Sequence, residues 1–64
     1  MLMVKEYYDG NFNATPCKDM TSAKFLMEKY IESLKDFEYE TIANTDNYFE
    51  AKIAGNLYSI EIVD

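Results

Sequence analysis

The chain has 64 residues, with twelve Asp and Glu against six Lys and no Arg or His, for a net charge of −6. That size holds one small domain, and the 48% apolar content excludes a disordered acidic tail. The longest apolar run is too short to span a membrane, and too few cations are present for a surface that binds nucleic-acid phosphates directly.

A chain this short buries only about 60% of the surface that its unfolded form exposes. Small folds therefore lean on a staple. Cys17 is the only cysteine, so no internal disulfide forms. Without His, no structural zinc set exists either. Oligomerisation, or clamping onto a larger protein, is the staple that remains. The opening Met1-Leu2-Met3-Val4 run is too short for the roughly 7–15 apolar residues of a signal peptide. A lone thiol also suits a reducing compartment, so the expected location is the cytoplasm.

In chain order, residues 2–8 (LMVKEYY) alternate as a strand, with Leu2, Val4, Glu6 and Tyr8 on one face and Met3, Lys5 and Tyr7 on the other. Asp9-Gly10-Asn11 signals a turn, and residues 9–19, carrying Pro16 and Cys17, read as an irregular loop. A helix follows over residues 20–36, capped by Asp19 or Thr21. Its apolar stripe is Ala23, Leu26, Met27, Tyr30, Ile31, Leu34 and Phe37, at three- and four-residue spacing. Residues 37–43, 47–54 and 57–63 read as three antiparallel strands.

The last two strands are joined by Ala54-Gly55-Asn56-Leu57, with Gly-Asn expected at the centre of a two-residue hairpin. That centre pairs Ile53 with Tyr58, Ala51 with Ile60 and Phe49 with Ile62, all on one face. The hairpin through Asn44-Thr45-Asp46 pairs Thr41 with Phe49 and Tyr39 with Ala51 if its loop has three residues. A loop two residues longer is equally compatible with burying Phe37, Tyr39 and Thr41. A one-residue slip would bury Glu38 and Glu40 at high cost. The expected fold is α+β, in the order β-α-β-β-β: one helix on one face of a four-stranded, mainly antiparallel sheet. Either edge of the meander could take the first strand.

One helix covers one face, so the other face is presented outward. In the three-residue register its rows are Ile42–Tyr48–Val63, Glu40–Glu50–Glu61 and Glu38–Lys52–Ser59, extended by Met3, Lys5 and Tyr7. The middle row sets three carboxylates side by side, which destabilises a sheet unless something favours it. The plain reading is a solvated face whose charges discourage aggregation. The functional reading is a binding surface for a basic groove, with Glu38, Glu40, Glu50 and Glu61 standing in for phosphates and Tyr48 and Tyr7 as aromatic anchors.

Catalytic chemistry has no visible carrier. There is no His for a general base, and Ser22, Ser33 and Ser59 have no partner for a triad. Gly10 and Gly55 are the only glycines, so no phosphate-cradling loop exists. Asp9-x-Asn11-x-Asn13 begins like a calcium loop, but Ala14 stands where Gly is required and Met20 where the bidentate Glu belongs. No enzyme activity, cofactor or metal is expected. Cys17 beside Lys18 reads as an inert small residue rather than an activated thiol.

Lys, Asn, Ile, Tyr and Phe supply 26 of the 64 residues, the mark of an AT-rich gene. In its size, acidity, lack of catalytic residues and AT-rich composition, the chain resembles the small phage-encoded inhibitors of CRISPR and restriction systems. The resemblance implies a non-enzymatic protein from a phage or mobile element that blocks a nucleic-acid-binding groove of a larger host protein. The alternative is a homo-oligomeric assembly module whose open sheet face is a self-interface.

Overall fold

The computed structural model describes residues 1–64. Six elements follow one another: β1 (Leu2–Tyr8), β2 (Asn11–Cys17), α1 (Met20–Glu32), β3 (Tyr39–Asn44), β4 (Tyr48–Ile53) and β5 (Asn56–Val63). The strands form one antiparallel sheet in the order β2-β1-β5-β4-β3. The fold is α+β with one helix on an open sheet. It has five strands where the sequence predicts four, and it runs β-β-α-β-β-β.

The extra strand occupies most of the segment expected to be a loop. Asp9 and Gly10 both take positive φ, at 50° and 83°, which is the geometry of a tight two-residue hairpin turn. The seven residues after that turn pair one to one with β1, from Tyr8↔Asn11 to Leu2↔Cys17. Asn11, Asn13 and Pro16 disguise the strand, because all three favour turns. A sheet edge tolerates Pro, since no outer partner needs its missing N–H. β1 joins β5 antiparallel, through Val4↔Ile62 and Glu6↔Ile60, and so sits inside the sheet.

Asp19 caps α1, its Oδ1 accepting a hydrogen bond from Ser22 N at 2.8 Å. The helix ends at Glu32, four residues before the expected end. Leu34, Lys35 and Phe37 then donate to carbonyls three residues back, at 3.0, 3.1 and 2.9 Å, so the chain leaves in tight turns. Leu34 stays in the core, but Phe37 swings out of the apolar stripe and is 58% exposed. The core is Val4, Ala23, Met27, Leu34, Phe49, Ala51, Ile53, Tyr58, Ile60 and Ile62, with Leu26, Tyr30 and Ile31 packed against it. Of the expected core-facing residues of β3, Tyr39 meets the Phe49 ring edge-on at 6.4 Å, while Thr41 remains exposed.

Up to a bulge in β3, the hairpin registers differ from the expected ones by two residues. At the last hairpin, Ala54 and Gly55 are the turn residues, with φ of 52° and 84°. The pairs are therefore Ile53↔Asn56, Ala51↔Tyr58 and Phe49↔Ile60. Positive φ at both central positions places Gly second, where it costs nothing, and leaves Ala54 in the left-handed region. A two-residue shift keeps every side chain on its face, so the core is the expected one although the partners are not. In the other hairpin, Tyr39↔Ile53 and Thr41↔Ala51 follow the longer-loop register. A bulge between Thr41 and Ala43 then shifts the ladder, so that Ala43 faces Glu50 and Asn44 faces Phe49.

Candidate protein-binding face

α1 packs over β1, β5 and part of β2, on one side of the sheet only. The opposite side is covered by nothing. Strand alternation sends Met3, Lys5 and Tyr7 of β1 to it, together with Phe12, Ala14 and Pro16 of β2, Leu57, Ser59, Glu61 and Val63 of β5, and Tyr48, Glu50 and Lys52 of β4.

The register fixes who meets whom on that side. Across the sheet, one row reads Ala14–Lys5–Glu61–Tyr48 and the next reads Phe12–Tyr7–Ser59–Glu50–Ala43. A third reads Leu57–Lys52–Glu40. The expected Glu40–Glu50–Glu61 row is therefore not formed. Glu40 stands across from Lys52, Glu61 lies between Lys5 and Tyr48, and Glu50 lies between Ser59 and Ala43. The Glu38–Lys52–Ser59 row is absent as well, because Glu38 precedes β3 and is outside the sheet. The Ile42–Tyr48–Val63 row fails at the bulge, which leaves Ile42 without a partner in the ladder. The Ala54-Gly55 turn, the longer loop before β4 and the bulge in β3 set these partners. Each glutamate avoids a like charge directly opposite, and two of the three gain a lysine neighbour in the ladder.

Two of the expected carboxylates do gather, around Tyr48. The Tyr48 hydroxyl donates to Glu50 Oε1 at 2.9 Å, and Glu61 is the residue across the strand from Tyr48. Glu50 and Glu61 are diagonal neighbours, with backbones about 7–8 Å apart. The hydrogen bond to Glu50 raises the Tyr48 pKa above the ordinary tyrosine value. Burial and the negative charges of Glu50 and Glu61 raise it further.

The β1–β2 half of the face differs in character. Tyr7 and Phe12 are direct partners, 46% and 63% exposed, and Lys5 is the only charge among the outward residues of these two strands. Phe12 was not among the expected contact residues, because a residue in a loop carries no face; recognising Asp9-Gly10 as a hairpin centre would have placed it beside Tyr7. Taken whole, the paired positions of the face hold three glutamates and two lysines, a net −1 of the chain's −6. Most of the chain's acidity lies off the face.

The two edges are both blunted. β2 carries Pro16, and β3 carries the bulge. Both devices disfavour the addition of a further strand. No helix is long and apolar enough to cross a membrane, and no group of three or more His, Cys, Asp or Glu is placed to hold a metal ion. No family model, curated protein or solved structure matches the chain.

Proposed function

We propose that this chain is a small non-enzymatic binding protein, an inhibitor of the phage or mobile-element kind, that occupies a basic nucleic-acid-binding groove on a larger host protein. The observation that carries the reading is the Tyr48–Glu50–Glu61 cluster on an uncovered sheet face. Two carboxylates flank an aromatic ring there, and Tyr7 and Phe12 lie two and three strands away on the same surface. Aromatic residues beside fixed charges are the make-up of a contact with a small number of dominant residues. The net charge of −6 draws a basic partner in from a distance. Glu40 and Glu38 contribute to that long-range field rather than to the cluster itself. Host defence effectors and nucleic-acid-processing enzymes are the partner class with such grooves.

The test is affinity capture from a nuclease-treated lysate of a low-GC bacterium, followed by competition with nucleic acid. Capture of one nucleic-acid-binding protein, released by added DNA or RNA and lost in the Glu50→Lys/Glu61→Lys variant, is the expected result. Capture that nucleic acid does not disturb would remove the groove from the account.

A second reading, self-association through the same face, is favoured by one observation. The near-balance of charge on the face and the exposed Tyr7–Phe12 pair let two copies meet without strong repulsion. With both edges blunted, a second copy would have to pack face to face. Sedimentation showing a tight dimer, with Phe12→Lys converting it to a monomer, would favour this reading over the first.

A further inference from the structure

The helix side of the sheet is not fully covered either. At the end of the sheet beside the Ala54-Gly55 turn, two concavities meet on Tyr8 and Tyr58, and no residue of α1 lines either of them. One is a groove of about 300 Å³ whose remaining lining, Leu34, Phe37, Ile53 and Ala54, is wholly apolar. The other, of about 220 Å³, has Glu6, Asn11 and Asn13 along its wall beside the Phe12 ring.

Glu6 is the only charged residue lining either concavity, and it belongs to no ion pair. Its Oε2 accepts the Tyr58 hydroxyl, which leaves the other carboxylate oxygen free for a further donor. The Tyr8 hydroxyl is committed to the Ile53 carbonyl at 3.3 Å. With both hydroxyls held, the two rings stand 5.8 Å apart at a tilt of 53° and frame the junction of the two concavities. An anion is repelled by Glu6. A bare metal ion finds one carboxylate and no second acid, short of the oxygen cage that calcium or magnesium needs. A carboxylate beside aromatic rings suits an organic cation, and the adjoining apolar groove suits a hydrocarbon body.

We propose that this junction binds a small organic ammonium ion, its charged head against Glu6 and the Tyr8 and Tyr58 rings and its apolar body in the Leu34–Phe37 groove. Apart from Phe12 at the β2 edge, which borders both, the site lies on the opposite side of the sheet from the candidate protein-binding face, and it does not depend on the function proposed for that face.

The experiment is a two-dimensional amide NMR titration of the whole chain with three probes of one shape: 2-phenylethylammonium, 2-phenylethanol and phenylacetate. The ammonium ion is expected to shift the amides of Tyr8, Ile53 and Phe37 and to bind about tenfold more tightly than the alcohol, with phenylacetate weakest. Glu6→Gln keeps an acceptor for Tyr58 and is expected to bring the ammonium and alcohol affinities together. Phe37→Ser, at a position 58% exposed and so harmless to the core, is expected to weaken ammonium and alcohol alike. Equal affinity for the three probes in the wild type, shifts confined to other residues, or an undiminished ammonium preference in Glu6→Gln would each overturn the proposal. Should Glu6→Gln not fold, the probe series on wild type and Phe37→Ser decides it.

Discussion

Glu40 and Lys52 are direct cross-strand partners on the open face, so the glutamate that was expected to crown an acidic row has a cation in front of it instead. The pairing has a consequence for stability. Glu40→Lys sets two cations opposite each other and is expected to cost a few tenths to about 1 kcal/mol. Combining it with Lys52→Glu restores an opposite-charge pair and should recover most of that loss. A double-mutant cycle in urea measures it, and additive effects would show that the two side chains do not interact.

The Tyr58 hydroxyl donates to Glu6 from a side chain that is 5% exposed. Tyr58→Phe leaves that carboxylate half-buried without its donor, and is expected to cost about 1–3 kcal/mol. Burial, and then the bond to Glu6, push the Tyr58 pKa well above the tyrosine range. A pKa raised by folding means that its contribution is complete below the unfolded value near 10 and is lost as pH climbs above it. The wild type should therefore lose stability on the alkaline side of pH 10 more steeply than Tyr58→Phe. Denaturation midpoints taken from pH 8 to pH 11 check this, and parallel curves would contradict it.

Ala54 sits at φ 52°, in a region that costs a residue with a Cβ about 1 kcal/mol. Ala54→Asn or Ala54→Gly is expected to raise stability by about 0.5–1 kcal/mol, because both residues take that conformation more readily. Gly55→Ala should lower it by about 1 kcal/mol or more, since φ there is 84°. Thermal melts of the three variants test the turn assignment. Were Gly55 and Asn56 the central pair, Ala54 would have ordinary strand geometry and Ala54→Gly would destabilise.

The elements that patterning governs were legible in the sequence. The alternation of β1, β4 and β5 named the core residues Val4, Phe49, Ala51, Ile53, Tyr58, Ile60 and Ile62, and the spacing of Ala23, Met27 and Leu34 named the helix face. Tertiary context decided the rest. β2 lacks a strand's composition and exists because β1 offers it a partner along its whole length. The helix stops at Glu32 although the apolar spacing runs on to Phe37. At the candidate site, alternation placed Tyr7, Tyr48, Glu50 and Glu61 on the correct face. Which carboxylates stood side by side depended on two turns and a bulge. Alternation is blind to a two-residue shift, so it preserved the face and lost the rows.

The proposed contact with a basic partner is assigned to one located surface, the Tyr48–Glu50–Glu61 half of the open face. The most direct test compares two variants of equal charge for binding to the captured partner. Glu50→Lys/Glu61→Lys reverses the face, and Glu28→Lys/Glu32→Lys reverses two exposed positions of α1; each carries the net charge from −6 to −2. The face variant is expected to lose at least about 100-fold in affinity, or about 2.7 kcal/mol, while the helix variant stays within a few-fold of wild type. Equal losses in the two variants would show that overall charge, not this surface, drives binding. Unaltered binding by the face variant would place the contact elsewhere.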